Sequence, residues 1–316
     1  MHPLGYLSGS GAQTASVVPL MWFMLIVSIV VTVIIIGLVV WAVLTKRAAV
    51  GPRSLRTIAL EHRDGVNWIW IGLAISIVPL LVSVFWTVAV LAKTGAVPSA
   101  PLTIDVTAKR WWWDAQYRDG ATGGQFRVAN EIHIPVGRPV LLHLRSADVI
   151  HSFWVPKLAG KTDVIPGQVN AMWIEADAPG RYRGQCGEFC GAQHAHMAFY
   201  VIADPPLQFA QWERQQMQPA FPPAAPEATA GLSLFTQRCG RCHSVRGTPA
   251  HGSFGPDLTH LMSRQSIAAG MLQNNPASLS GWVENAQAVK PGALMPDQHL
   301  SGPELTVLRA YLETLR

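Results

Sequence analysis

Hydrophobic and polar positions divide this chain of 316 residues into stretches of different period. Residues 17–44 and 65–92 contain no ionisable side chain, and each exceeds the ~20 residues needed to cross a bilayer core of roughly 30 Å. Two transmembrane helices are therefore expected, at about 17–44 and 66–92, within an anchor of residues 1–95. Trp22, Trp41, Trp68, Trp70 and Trp86 lie towards the ends of these runs, where amphipathic rings favour the membrane interface. Beyond Pro101 the pattern becomes strand-like. Leu102-Thr-Ile-Asp-Val-Thr-Ala, Glu131-Ile-His-Ile, Pro139-Val-Leu-Leu-His-Leu, Val169-Asn-Ala-Met-Trp-Ile-Glu and Ala198-Phe-Tyr-Val-Ile alternate or are β-rich, with Gly and Pro between them. This spacing predicts a Greek-key sandwich or barrel over residues 96–204. Residues 205–226 hold a short helix from about Pro205 and a proline-rich linker. Residues 227–316 form a small helical domain. It opens on a helix containing Gly231 and Phe235 and closes on Ser301-Gly-Pro-Glu304, a capping-box pattern before the stripe of Leu305, Leu308, Leu312 and Leu315.

Charge orients the anchor. Between the apolar runs stand Lys46, Arg47, Arg53, Arg56 and Arg63 against Glu61 and Asp64, while residues 1–16 carry no Lys, Arg, Asp or Glu. The positive-inside rule puts this loop in the cytoplasm and both termini outside. Residues 1–16 lack the basic region of a secretory signal, so the first run is read as a retained anchor. The net charge of +5 owes much to that loop, and nothing suggests nucleic acid.

The segment Cys186-Gly-Glu-Phe-Cys190-Gly-Ala-Gln-His194-Ala-His-Met197 places two thiols, imidazole and a thioether in one loop. Thiolates four positions apart reach the same pair of ions, and imidazole with a weak thioether completes a set that suits copper better than zinc. His151, in Asp148-Val-Ile-His151-Ser-Phe-Trp154, is the candidate second imidazole. Phe153, Trp154 and Phe189 are expected to pack around the centre. His196 is expected to turn away from it, and His133 and His143 read as strand residues. Such residues are more often core than ligands, but five candidates in two short segments outweigh that tendency.

Cys239-Gly-Arg-Cys242-His243 is the C-x-x-C-H pattern of covalent c-type haem attachment, with His243 on the iron. Met295, in Lys290-Pro-Gly-Ala-Leu-Met295-Pro296, is the expected second axial ligand, because Met262 and Met271 read as helical core. Four cysteines are thus shared between the two metals, with none left for a disulfide. Such attachment occurs on the outer side of an energy-transducing membrane, in agreement with the charge argument.

The chain resembles subunit II of a haem–copper cytochrome c oxidase with a cytochrome c domain fused at its C-terminus. The likeness rests on Lys161-Thr-Asp163-Val-Ile-Pro-Gly167, on Pro179-Gly-Arg-Tyr-Arg-Gly-Gln-Cys186, on the copper loop and on Arg110-Trp111-Trp112-Trp113. The resemblance implies a two-helix transmembrane hairpin, a cupredoxin-like Greek-key β-barrel and a small α-helical c-type cytochrome. It implies a dinuclear copper centre (CuA) held by His151, Cys186, Cys190, His194 and Met197, with Glu188 giving a backbone carbonyl and its carboxylate helping to hold magnesium at the contact with subunit I. Trp111 matches the residue where electrons enter from a docked cytochrome c, while at least one of Trp111, Trp112 and Trp113 is expected in a membrane-interface belt.

The implied function is electron transfer in a terminal respiratory oxidase, a translocase of a bacterial inner membrane, with both metal domains on the periplasmic side. Electrons would pass from an external donor, a cytochrome c or a quinol–cytochrome c reductase complex, through haem c and copper to subunit I, where oxygen is reduced to water; subunit III is a further expected partner. Asn67 stands where the family often has a glutamate linked to proton entry, which puts that role in question here. A copper-containing nitric oxide reductase would use a very similar subunit, and this alternative stays open. A copper carrier would have no use for covalent haem.

Overall fold

Two compact units make up the computed structural model, which describes residues 4–45, 55–100, 102–118 and 124–316. Residues 15–96 form one unit, built on helices α1 (Ala12–Leu44) and α2 (Leu55–Gly95). Each contains a span long and apolar enough to cross a membrane, Ala12–Leu44 and Val66–Gly95. Their large apolar side chains are exposed, as in Trp41 and Leu44, a surface that needs lipid around it. α2 begins inside the segment expected as a loop. Residues 55–64 contain neither Gly nor Pro, so nothing local stops the helix there. Lys46, Arg47 and Arg53 lie outside the described residues.

The second unit joins the residues up to Thr14 to residues 97–316. The sequence reading attaches the N-terminal segment to the anchor, but backbone hydrogen bonds sew it to the β domain: Ser10 N donates to Lys157 O (2.8 Å) and Asp177 N to Ser10 O (2.9 Å). Gln13 adds a side-chain bond to Trp173 O (2.6 Å).

Among the described residues, ten strands build the β domain: β1 (Leu102–Lys109), β2 (Trp112–Arg118), β3 (Gln125–Ala129), β4 (Glu131–Pro135), β5 (Val140–Ser146), β6 (His151–Trp154), β7 (Thr162–Val164), β8 (Asn170–Ile174), β9 (Gly180–Cys186) and β10 (Ala198–Asp204). They form two five-stranded sheets, in the orders β3-β2-β1-β5-β8 and β4-β10-β9-β6-β7. β1 runs parallel to β5 and β4 parallel to β10, while the other pairs are antiparallel, a cupredoxin-like arrangement. Period-two alternation sends Ile104, Val106 and Ala108 of β1, Val140, Leu142 and Leu144 of β5, and Phe199 and Val201 of β10 into the shared core. Phe199 lies opposite Gly184 of β9, where a Cβ would come within 2.2 Å of its ring; only glycine admits that ring.

α3 (Pro206–Met217) follows β10, with Pro at its first turn. The C-terminal helical region contains α4 (Pro226–Arg238), α5 (Pro276–Glu284), α6 (Ala286–Val289) and α7 (Gly302–Leu312). α4 and α7 cross at Gly231, where a Cβ would stand 2.0 Å from Val307 O. The capping box forms with both arms, Ser301 and Glu304 each bonding the other's backbone N–H. Met262 lies in a short 3-10 turn and Met271 outside any helix, so neither is the helical residue expected.

Candidate metal centres

β6 delivers His151, β9 ends on Cys186, and the loop before β10 carries the remaining donors. Gly191, at φ +113°, lets the chain turn between Cys190 and His194 in a backbone region that side chains disfavour. Cys186 Sγ stands 3.8 Å from Cys190 Sγ, 3.9 Å from His151 Nδ1 and 3.2 Å from Glu188 O. Cys190 Sγ in turn lies 3.6 Å from His194 Nδ1 and 3.8 Å from Met197 Sδ. His151, Cys186 and Cys190 are buried, and neither thiol is in a disulfide. Two metal–sulfur bonds of about 2.3 Å each span up to ~4.6 Å, so this spacing admits shared ions. The donor set of two thiols, two imidazoles, a thioether and a carbonyl fits copper.

Electrostatics favours that use. The hydrogen bond between the two thiols, outweighing burial and backed by His151, holds Cys186 well below the ordinary thiol range, while the same bond and burial push Cys190 up. The pair thus favours a thiolate at Cys186. Burial would lower His151, but hydrogen bonds to Cys186 and Asp148 outweigh it and raise its pKa. Asp148 Oδ1 lies 2.8 Å from His151 Nε2, which leaves Nδ1 facing the thiols, an orientation that strengthens an imidazole ligand. Asp148 escaped the sequence reading; its signal was the i, i+3 spacing to His151.

Several expected neighbours stand elsewhere. Phe189 is 75% exposed rather than packed around the centre, although its ring lies 5.8 Å from that of His194. Phe153 is buried as expected. His196, expected to turn away from the centre, bonds Gln193 Oε1 (2.8 Å). The Glu188 carboxylate accepts from Phe189 N (3.2 Å). Two of the three tryptophans at residues 111–113 are buried. Trp113 is fully buried against Phe153 and Phe199, and Trp112 lies under Lys109 Nζ at 4.7 Å. Trp111 is buried, its indole N–H donating to Cys190 O (2.9 Å). These residues sit in β2 and the turn before it, so alternation along the strand sorts their burial.

A cavity of about 580 Å³ lies between the helical region and the β domain, lined by Cys239, Cys242, His243 and Met295, by Phe235, Trp282 and Leu308, and on the far side by Trp111 and Trp112. Its size suits a prosthetic group. His243 Nδ1 bonds Pro256 O (2.9 Å), so Nε2 stays free for iron, and burial lowers its pKa. Gly255 supports the ring, since a Cβ there would meet His243 Cε1 at 2.6 Å. Burial raises the Cys239 pKa to about 11, so its thiol is protonated at neutral pH. The cavity fits haem c.

Two sequence profiles match the two regions: cytochrome C oxidase subunit II, periplasmic domain, over residues 120–203, and cytochrome c over residues 228–316. The chain is a homologue of cytochrome c oxidase subunit II joined to a cytochrome c domain. It is 38% identical to cytochrome c oxidase subunit 2 of Alkalihalophilus pseudofirmus over 216 residues, 67% of this chain and 61% of that protein. The protein of the same name from a Bacillus species is 32% identical over 228 residues, 68% of this chain and 62% of that protein. This subunit II homologue thus spans about three fifths of the relatives it matches. Among solved structures, the periplasmic domain of subunit II of cytochrome oxidase (CoxB) of Bradyrhizobium japonicum is 33% identical, covering 38% of this chain and 96% of that one at a TM-score of 0.36.

Proposed function

We propose that this subunit II homologue receives electrons for a terminal respiratory oxidase and passes them from haem c to a dinuclear copper centre, and from there to subunit I, where oxygen is reduced to water. The observation that carries this reading is Trp111, which lines the haem cavity and donates its indole N–H to the carbonyl of Cys190. One side chain therefore touches the walls of both sites.

Haem c and the copper pair, when bound, each supply reversible one-electron chemistry. The protein holds their surroundings still. His151, Cys186, Cys190, His194 and Met197 would hold copper, with the Glu188 carbonyl beside Cys186; strand-end placement limits how far the ligands move when charge changes. Cys239 and Cys242 would anchor the porphyrin, with His243 and Met295 as the axial pair. Lining residues such as Phe235 and Leu308 exclude water. Fusion replaces diffusional docking of the haem with an intramolecular step.

Two spans and the basic segment between them support an inner-membrane subunit whose termini and metal domains face the periplasm. Partners would be subunits I and III and an external cytochrome c or quinol–cytochrome c reductase complex. The exposed Phe189 beside the copper loop is the apolar contact offered to subunit I, with magnesium held there through Glu188. Purified complex should contain two coppers and one covalent haem in this subunit, with the magnetic-resonance signature of a delocalised mixed-valence pair. A single blue-type copper, or zinc in its place, overturns the proposal.

A further inference from the structure

Two buried charges of opposite sign cross the boundary between the β domain and the helical domain, and neither is paired with the other. Glu131, at the start of β4, is 4% exposed, and Lys290, just after α6, is 3% exposed. Isolated buried charges are costly unless hydrogen bonds satisfy them. Each draws two of its hydrogen bonds from main-chain groups of the opposite domain. The Glu131 carboxylate accepts from Gln265 N (2.9 Å), from Ser266 N (3.0 Å) and from Ser266 Oγ (3.2 Å). The Lys290 ammonium donates to Trp111 O (2.7 Å) and His196 O (2.9 Å) of the β domain, and to Ala268 O (3.3 Å) of its own.

We propose that Glu131 and Lys290 form a reciprocal clasp that fixes the haem domain in one docked position over Trp111, making them positioning residues for electron transfer between the two centres. This inference rests on the functional reading above.

Three carbonyls match the three N–H groups of a charged Lys290, while burial lowers its pKa to about 7 against the opposing pull of Cys190. Lys290 also steadies an unusual piece of backbone. Ala268, Ala269 and Gly270 run in the left-handed region at φ 54°, 60° and 81°. The alanines adopt it only because their surroundings impose it. Gly270 then meets the β domain closely, a Cβ there lying 3.3 Å from Ala198 Cβ. Beside Lys290, Gln193 Nε2 donates to Pro291 O (2.9 Å), and Gly292 lies under the Trp111 ring, with a would-be Cβ 3.6 Å from Cη2.

The clasp thus closes around Trp111, which is 7% exposed. An external donor meets the haem domain, because that domain covers the tryptophan that leads to copper. A freely swinging haem domain would leave Trp111 open to outside cytochromes.

The test uses the full chain in its complex. In the unaltered protein, hydrogen exchange should protect the Gln265 and Ser266 amides as strongly as those of α4; exchange at the rate of exposed loops overturns the clasp. Glu131→Gln and Lys290→Met should each speed exchange over residues 265–270 by roughly tenfold or more, with exchange in α4 and α7 unchanged. In the same variants, haem and copper content and spectra should stay constant while flash-initiated haem-to-copper transfer slows by roughly tenfold or more, and copper should become directly reducible by added soluble cytochrome c. Unchanged exchange and transfer in both variants reject the proposal. The exchange arm makes no reference to electron transfer, so the clasp and the functional reading fail separately.

Discussion

The two candidate metal sites are built by opposite strategies. The copper donors already stand 3.2–3.9 Å from one another around the thiols, at strand ends of a sheet core that contains Trp113, Phe153 and Phe199. The candidate haem site is a void of about 580 Å³, walled by Phe235, Leu261, Leu279 and Leu308 of a smaller core. A small ion can be received by a fold that stands without it. A prosthetic group of that size supplies apolar surface which the helices otherwise lack.

The sharpest way to break this comparison is to take away each occupant in turn. Replacing Cys239 and Cys242 with Ala should abolish covalent haem and collapse exchange protection in α4 and α7, while protection in β1, β5 and β10 persists. Replacing Cys190 with Ser should lose the paired-copper signal and leave protection in both domains nearly intact. Equal loss of protection in the two experiments would show that copper is as structural as haem.

Asp148→Ala tests how far the copper site is built in advance. Without the carboxylate that orients His151, copper affinity should fall by roughly 10–100-fold, read by metal competition, with the barrel still folded. An unchanged affinity would mean that β6 alone holds the imidazole.

Gly231→Ala probes the helical side, because the new methyl meets Val307 O and the Tyr311 side chain. Overpacking at that crossing should cost about 1–3 kcal/mol, seen as earlier thermal loss of the haem signal, with the copper signal unmoved. Ser301→Ala is the mildest change. Loss of the capping box should cost about 1 kcal/mol and loosen the last helix in the same assay.

Much of the ligand chemistry was legible early, because its signals are local. C-x-x-C-H and the copper loop each compress several donors into one short segment, whereas Asp148 went unread as the partner of His151 although it stands only three positions away. Strand positions such as Ile104 and Leu142 were readable from alternation. β2, β6 and β9 were not named, since Trp112–Arg118 mixes aromatics with charge and Gly180–Cys186 contains two glycines and two arginines. The three adjacent tryptophans 111–113 look alike in sequence, while the pleat sends one into the core and leaves its neighbour under Lys109.

By itself the sequence determined which atoms are available: thiols, imidazoles and thioethers in fixed local spacing, two apolar spans, and a capped last helix. Covalent proximity suffices for these, as each needs only a few consecutive residues to be recognised. The tertiary structure alone decided what faces what across the chain. Glu131 meets Gln265 from 134 positions away and Lys290 meets Trp111 from 179. No periodicity announces such pairs, because a buried charge reads as an ordinary surface residue until the fold removes its water and gives it backbone partners instead.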